Sequence, residues 1–318
     1  MAIDRIELKD LREAQEIIRP FVHRTPMFTS RYLQTRTGCE IFLKAELFQK
    51  TGSFKPRGAL NRLKHFSPAE KAHGIVSCSA GNHAQAVAFV CGLEKIACTV
   101  VMPSKAQQNK IDATRAYGAT VILHDDIRTI FDRTEEVRSE RNAVLLHPFN
   151  DPYVIAGQGT VGLEIFEDAP DLDTVVVGIG GGGLISGIGL ALKKLNPKIR
   201  VIGVEPEGAQ TMTLALKEKR PVRVERIETV ADGLAAPIVG EWNLRCVQEY
   251  VDDVILVSDQ EIIDAVKLLL ERTKLLVEPG AAAATAALLA GKISNPGRKV
   301  GLVLSGGNLD LARLKSWL

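Results

Sequence analysis

The pattern that most restricts this chain is an alternation. From Gly74 onward, short β-branched or apolar runs take turns with stretches of helical spacing. Ile75–Cys78, Ala97–Met102, Thr120–Leu123 and Ala143–Leu146 read as strands, with helices expected at Asn82–Cys91, Ala106–Tyr117 (stopped by Gly118) and Ile127–Arg141. A second series places strands at Thr174–Val177, Val201–Val204, Asp253–Val257 and Lys299–Leu304. Its helices open on good start signals, Asp151-Pro152 before one and the capping box Ser258-Asp259-Gln260-Glu261 before another. Strands alternating with helices pair in parallel, because the crossover helix carries the chain back to the same end of the sheet. The two series predict two open, twisted parallel-sheet α/β domains. The expected division is a small domain over 73–148 and a discontinuous large one over 1–72 and 149–318. Ligands of such sheets bind beyond the carboxyl ends of the strands, at helix N-termini.

Composition narrows the class. The 318 residues are 46 % hydrophobic and 25 % charged, with a net charge of +2. That balance lacks the basic footprint that nucleic acid or an anionic membrane requires. The longest low-polarity stretches, around Val175–Leu192 and Val277–Leu289, are broken by glycine or too short to span a bilayer. Cys39, Cys78, Cys91, Cys98 and Cys246 form no Cys-x-x-Cys pair and suit reduced thiols. The N-terminal run Met-Ala-Ile-Asp-Arg-Ile-Glu has no apolar signal-peptide core. A cytoplasmic enzyme is expected, with neither nucleic acid nor membrane as partner.

Three polar turns and one lysine carry the chemistry. The first turn is Ser79-Ala80-Gly81-Asn82-His83, where small residues precede a helix whose free N–H groups would suit a carboxylate. An ordinary N-cap by Ser79 or Asn82 is the plainer alternative. The second is Gly180-Gly181-Gly182-Gly183, costly in conformational entropy and a cradle for a phosphate dianion. It contains Gly178-x-Gly180-x-x-Gly183, and Glu205 ends the next strand, so a nicotinamide dinucleotide site is open on spacing alone. The third is Leu304-Ser305-Gly306-Gly307-Asn308, with a neutral hydroxyl at a strand end. Lys55 sits before Pro56 at the threshold of a helix, where the dipole disfavours an extra positive charge. Its amine would suit a Schiff base with an aldehyde. An aldehyde for the lysine, a phosphate for the glycines and a ring nitrogen for the hydroxyl are together pyridoxal 5′-phosphate. A dinucleotide would leave Lys55, Asn82 and Ser305 without a shared purpose.

These residues resemble a known family. Gly-Ser-Phe-Lys-x-Arg-Gly-Ala, Ser-Ala-Gly-Asn-His-Ala-Gln, the four glycines, Ala231-Asp232-Gly233 and the final Leu-Ser-Gly-Gly-Asn resemble, in order and over nearly the whole chain, the serine/threonine dehydratase family. These are fold-type II pyridoxal-phosphate enzymes of tryptophan synthase β-like fold, related to serine racemase. The resemblance implies that Lys55 is the Schiff-base lysine and general base and that Phe54 flanks the pyridine ring. It implies that Gly180, Gly181, Gly182, Gly183 and Leu184 hold the phosphate, while Asn82 meets the ring hydroxyl and Ser305 the ring nitrogen. Gly233 and Glu278 would line the cofactor's other side, and Ser79, Ala80, Gly81, Asn82 and His83 the substrate carboxylate. The implied reaction is α,β-elimination from L-threonine or L-serine, giving a 2-oxo acid and ammonia. A neutral Ser305 would not enforce protonation of the ring nitrogen as a carboxylate would, which favours elimination over transamination.

Within the family, Ala80 stands where serine racemases carry a second hydroxyl, which favours a lyase over a racemase. Threonine synthases usually place an acid after the lysine, where this chain has Pro56. The chain stops ten residues after Asn308, so a catabolic-type threonine ammonia-lyase without a regulatory domain is expected. Glu205 and the carbonyl of Ala209 match two ligands of the cation (Mg, Ca or K) that relatives bind, although Thr211 stands where an acid is common. Relatives imply a homodimer or homotetramer, with a dimer expected. A dehydratase of threo-3-hydroxyaspartate or phenylserine, a serine racemase and an NAD-dependent oxidoreductase remain as alternatives.

Overall fold

In chain order the strands are β1 (Met27–Thr29), β2 (Glu40–Ala45), β3 (Ile75–Cys78), β4 (Cys98–Pro103), β5 (Thr120–His124), β6 (Val144–Leu145), β7 (Thr174–Gly178), β8 (Arg200–Pro206), β9 (Asp253–Val257) and β10 (Lys299–Leu304). The computed structural model describes residues 5–318; residues 1–4 of the charged N-terminal run lie outside them. The strands form a six-stranded sheet ordered β1-β2-β10-β7-β8-β9 and a four-stranded sheet ordered β5-β4-β3-β6. Every pairing is parallel except β1 with β2, which run antiparallel in the register Met27↔Lys44. The chain therefore starts the larger sheet, leaves it to build the smaller one, and returns at β7.

The central strands β3, β4 and β7 are buried at every residue, as expected where helices cover both faces of a parallel sheet. Each sheet has its own apolar core, Val176, Ile202 and Leu302 belonging to one and Val100, Val87 and Leu60 to the other. The expected strands form, three of them (β3, β9 and β10) with the expected bounds and the rest with ends shifted by one or two residues. Two strands escaped the sequence pattern. β1 is three residues long, too short to show a period, and β2 carries Lys44 inside an apolar run. The structure buries that lysine against Glu164, at 2.7 Å.

The helix start signals act as their residues predict. Asp151 accepts the N–H groups of Tyr153 and Val154 at 2.8 and 3.1 Å and opens the helix Pro152–Asp168. Ser258 and Glu261 form the reciprocal capping box of the helix Asp259–Thr273. The helix expected over Ile127–Arg141 instead begins as a tight 3-10 turn, Ile127–Thr129, before the α-helix Ile130–Glu140. There the Asp126 carboxylate accepts the N–H of Arg128 at 2.9 Å.

Candidate active site

Lys55 is the first residue of the helix Lys55–Lys64, with Pro56 in the first turn. Two structures fix this start. On one side the segment is stitched to the turn after β10: Phe54 donates its N–H to the carbonyl of Ser305 at 3.1 Å, and Ser53 bridges Gly306. On the other side Arg57 lies in a buried, charge-balanced network. Its guanidinium bonds Glu46 at 2.8 and 2.8 Å and Glu164 at 2.7 and 2.9 Å, and Lys44 completes the set on Glu164. Two cations and two anions out of water need this complete pairing.

The Lys55 ammonium is half-buried, lies 5.2 Å from the centre of the Phe54 ring, and donates to the carbonyl of Pro148 at 3.1 Å. Burial lowers its pKa from 10.5 to about 8, against the attraction of the Glu278 carboxylate. Two imidazoles respond to the same enclosure. His147 is pushed down to about 4 by burial and by Lys55, and its Nδ1 accepts the N–H groups of Phe149 and Asn150. His83 is driven well below its ordinary value by burial and by Lys55. Both rings are neutral near pH 7.

The carboxyl ends of β3, β7 and β10 bring the three turns into one cleft with Lys55. Phe54, Lys55, the run Ser79–His83, Gly180–Leu184, Gly233, Glu278 and Ser305 all line it. The simple N-cap readings of the first turn do not hold. Gly81 is the N-cap of the helix Asn82–Leu93, with no side chain capping it. Ser79 Oγ accepts instead from the N–H of Gly81 at 3.1 Å. Asn82 turns its amide to Glu278 and accepts from Asn308 Nδ2 at 2.9 Å. At the second turn the helix Gly183–Leu195 also begins without a side-chain cap. Gly182 there has φ +94°, and a Cβ would stand 2.8 Å from both Asn243 Cβ and Met212 Cε.

Two uncapped helix N-termini thus open on one cleft beside a lysine of lowered pKa. That donor set fits a ligand carrying a phosphate, an aldehyde and a second anion bound next to it. The dinucleotide alternative fails at Glu205. Its carboxylate is fully buried and accepts the N–H groups of Met212 and Thr213 at 2.6 and 2.9 Å and the Thr213 hydroxyl at 2.7 Å. It is engaged with the start of the helix Thr211–Glu218 and cannot reach a ribose. Neither Glu205 nor Ala209 lines the cleft. Among the described residues no group of three or more His, Cys, Asp or Glu could hold a metal ion.

Sequence reasoning missed several residues of the site. Lys110 and Asp232 form an ion pair at 2.7 Å on the cleft wall, and Ile130, Phe131, Pro148 and Phe149 make an apolar side. The Phe131 ring stacks on His147 at 5.8 Å, and His147 meets Phe149 edge-on at 4.7 Å. Asp232 stands inside the Ala-Asp-Gly run, a signal that was available. Lys110 sits on the helix Gln108–Ala116 with no local mark.

Residues 18–306 match the family described as "Pyridoxal-phosphate dependent enzyme". The chain belongs to that family. Among the curated relatives of this pyridoxal-phosphate enzyme, the L-threonine ammonia-lyase of Thermotoga maritima is 47 % identical over 310 residues, covering 96 % of this chain and 76 % of its own length. Maize serine racemase superposes with a TM-score of 0.93 at 40 % identity, covering 98 % of this chain and 96 % of that one. The processed form of threonine deaminase isoform 2 from Solanum lycopersicum superposes with a TM-score of 0.89 at 34 % identity, covering 97 % of this chain and 92 % of that one. The family and these neighbours bear out the expected fold-type II architecture and the cofactor. Among the described residues, no helix is long and apolar enough to cross a membrane.

Proposed function

We propose that this enzyme converts L-threonine to 2-oxobutanoate and ammonia, and L-serine to pyruvate and ammonia, by α,β-elimination. The observation that carries the reading is the meeting, in one cleft, of the Lys55 amine with two uncapped helix N-termini. The name of the 47 %-identical relative, L-threonine ammonia-lyase, supports the substrate.

Pyridoxal phosphate, when bound, supplies the electron sink for a carbanion at the substrate Cα. The chain's residues do the rest. Gly180–Gly183 and Leu184 would hold its phosphate at the helix start, Ser305 its ring nitrogen and Asn82 its ring hydroxyl. Phe54, Gly233 and Glu278 would enclose the ring. The backbone of Ser79–His83 would grip the substrate carboxylate through the second helix start. Lys55 Nζ then takes the Cα proton, and as the Cα–Cβ double bond forms the β-hydroxyl gains a proton and leaves as water; an amine whose pKa is lowered to about 8 is neutral often enough near pH 7 to act as a base. Ala80 reaches the cleft with a methyl group only. It has no proton to deliver, which favours elimination over the racemisation named for the maize neighbour.

Ile130, Phe131 and Phe149 suit a methyl or hydrogen on the substrate Cβ better than a charge. We divide the chain into a small domain over 73–148 and a large one over 1–72 and 149–318, in keeping with its two sheets. Five free, buried cysteines suit a reducing cytoplasm. A homodimer is the assembly we propose.

An absorbance spectrum of the purified protein with pyridoxal phosphate, before and after L-threonine or L-serine, tests the reading, with 2-oxo acid and D-serine measured together. A visible band that changes with substrate, with 2-oxo acid exceeding D-serine at least tenfold, is expected. A protein without the band, or one that makes D-serine as its main product, overturns it.

A further inference from the structure

One buried lysine on the cleft wall has no part in the chemistry above. Lys110 is 1 % exposed, projects from the helix Gln108–Ala116 of the smaller-sheet side, and places its ammonium between two carboxylates of the larger-sheet side. It bonds Asp232 at 2.7 Å and Glu278 at 3.3 Å. Its methylenes cross the first turn so closely that a Cβ on Gly81 would fall 2.3 Å from Lys110 Cδ. The glycine of the Ser-Ala-Gly-Asn-His run therefore makes room for this side chain. Glu278 in turn accepts the amide of Asn82, and Asn82 accepts from Asn308. A single chain of contacts thus runs from Lys110 through Glu278 to Asn82.

We propose that Lys110 is a positioning residue: by pairing with Glu278 and Asp232 it keeps Glu278 an acceptor for Asn82 and so holds the Ser79–His83 turn against the cleft. The groups that face Glu278 are the ammonium of Lys110, the carboxylate of Asp232 on the single turn Asp232–Leu234, the amide of Asn82, and Lys55 at longer range. Burial and Asp232 push the Glu278 carboxyl up, and Lys110 and the Asn82 amide oppose them. Lys110 itself is disfavoured as a cation by burial, and its two carboxylates more than compensate. Removing the ammonium leaves Glu278 beside Asp232 with no cation in contact. Its carboxyl would then be pushed up further, by burial and Asp232 with no cation to oppose them, and a protonated oxygen can no longer serve Asn82 as an anionic acceptor.

The inference rests on the cleft being the pyridoxal-phosphate site, and its test separates the two. The parent, Lys110→Met, Lys110→Arg and the double variant Lys110→Met/Glu278→Gln are compared in three measurements. These are kcat/KM against pH, pyridoxal-phosphate affinity against pH by absorbance titration, and thermal midpoint against pH. In Lys110→Met the acid limb of kcat/KM and of cofactor affinity should move up by about one pH unit or more, and Lys110→Arg should restore most of it. The sign for stability follows. Glu278, its folded pKa raised further above the unfolded value, loses stability as pH rises towards that folded pKa, so the deficit of Lys110→Met should be small at pH 5 and grow towards pH 8. The double variant should lose that pH dependence. A uniform loss at all pH values, equal in the single and double variants, would reduce Lys110 to packing and overturn the proposal. Because the thermal arm needs neither cofactor nor turnover, it decides the role of Lys110 even if the parent fails to bind pyridoxal phosphate.

Discussion

Arg57 and Glu164 face each other fork to fork, with N–O distances of 2.7 and 2.9 Å, and Arg57 stands two residues beyond Lys55 on the same helix. The pair sits in the protein interior, at 1 % and 5 % exposure. It joins the helix that carries the lysine to the helix Pro152–Asp168, and through Glu46 to the end of β2.

Such a network has a one-sided energy. Complete, it is near neutral relative to an apolar core; with one partner missing, a buried carboxylate is stranded. Arg57→Met should therefore destabilise the chain by about 3–5 kcal/mol, read from urea denaturation. The double variant Arg57→Met/Glu164→Gln should recover part of that loss. A single-variant loss below about 1 kcal/mol, the range of an exposed ion pair, would refute the account.

The lysine itself makes a prediction in the pH dimension. A carbonyl dipole from Pro148, rather than a carboxylate in contact, compensates its charge, so burial dominates and the pKa falls to about 8. Only the neutral amine attacks an aldehyde. The rate at which the stripped chain captures pyridoxal phosphate should rise with pH and level off above about 8, where an ordinary lysine would keep rising towards 10.5. Stopped-flow absorbance measures it. Lys55→Ala should lose turnover by at least about 10²–10⁴-fold.

Much of this architecture could be read from the residues, and the failures have physical causes. β3, β4, β7 and β10 announce themselves because a strand covered on both faces must be apolar along most of its length. β2 does not, because the partner that neutralises Lys44, Glu164, is 120 residues away in sequence. The turns at 79–83, 180–183 and 305–308 were legible because small residues after a strand have few other uses. Lys110, Phe131 and Phe149 were not. A side chain that reaches the cleft from another element leaves no local pattern, and its role exists only once the two sheets meet. Glu205 shows the opposite error: spacing offered it to a ribose, and three donors of the next helix surround it instead.

The glycine turn can be tested at its most constrained residue. Gly182→Ala must hold a Cβ at φ +94° and 2.8 Å from two side-chain carbons. Left-handed backbone alone costs a non-glycine residue roughly 1–2 kcal/mol, and the contact displaces the start of the helix Gly183–Leu195 that would hold the phosphate. A lower thermal midpoint together with at least a tenfold weaker pyridoxal-phosphate affinity is expected. Unchanged affinity in an absorbance titration would move the phosphate elsewhere.

The wall of the cleft predicts which β-substituents are refused. Among the described residues, two that line it carry a cationic side chain, Lys55 and Lys110, and Lys110 is already paired with Asp232 and Glu278. His83 lines the cleft as a neutral ring, and the side formed by Ile130, Phe131, Pro148 and Phe149 is apolar. The carboxylate of threo-3-hydroxyaspartate would enter without a counter-ion, and an unpaired charge in such surroundings is expelled or costs several kcal/mol. The methyl group of threonine gains contact instead, at about 0.8 kcal/mol per buried carbon. Competing the two amino acids at equal concentration should give kcat/KM for L-threonine at least about 100-fold above that for threo-3-hydroxyaspartate, a gap of about 2.7 kcal/mol. Comparable values would mean that a cation swings into the cleft when substrate binds, and would make Lys110, released from Asp232, the first residue to substitute.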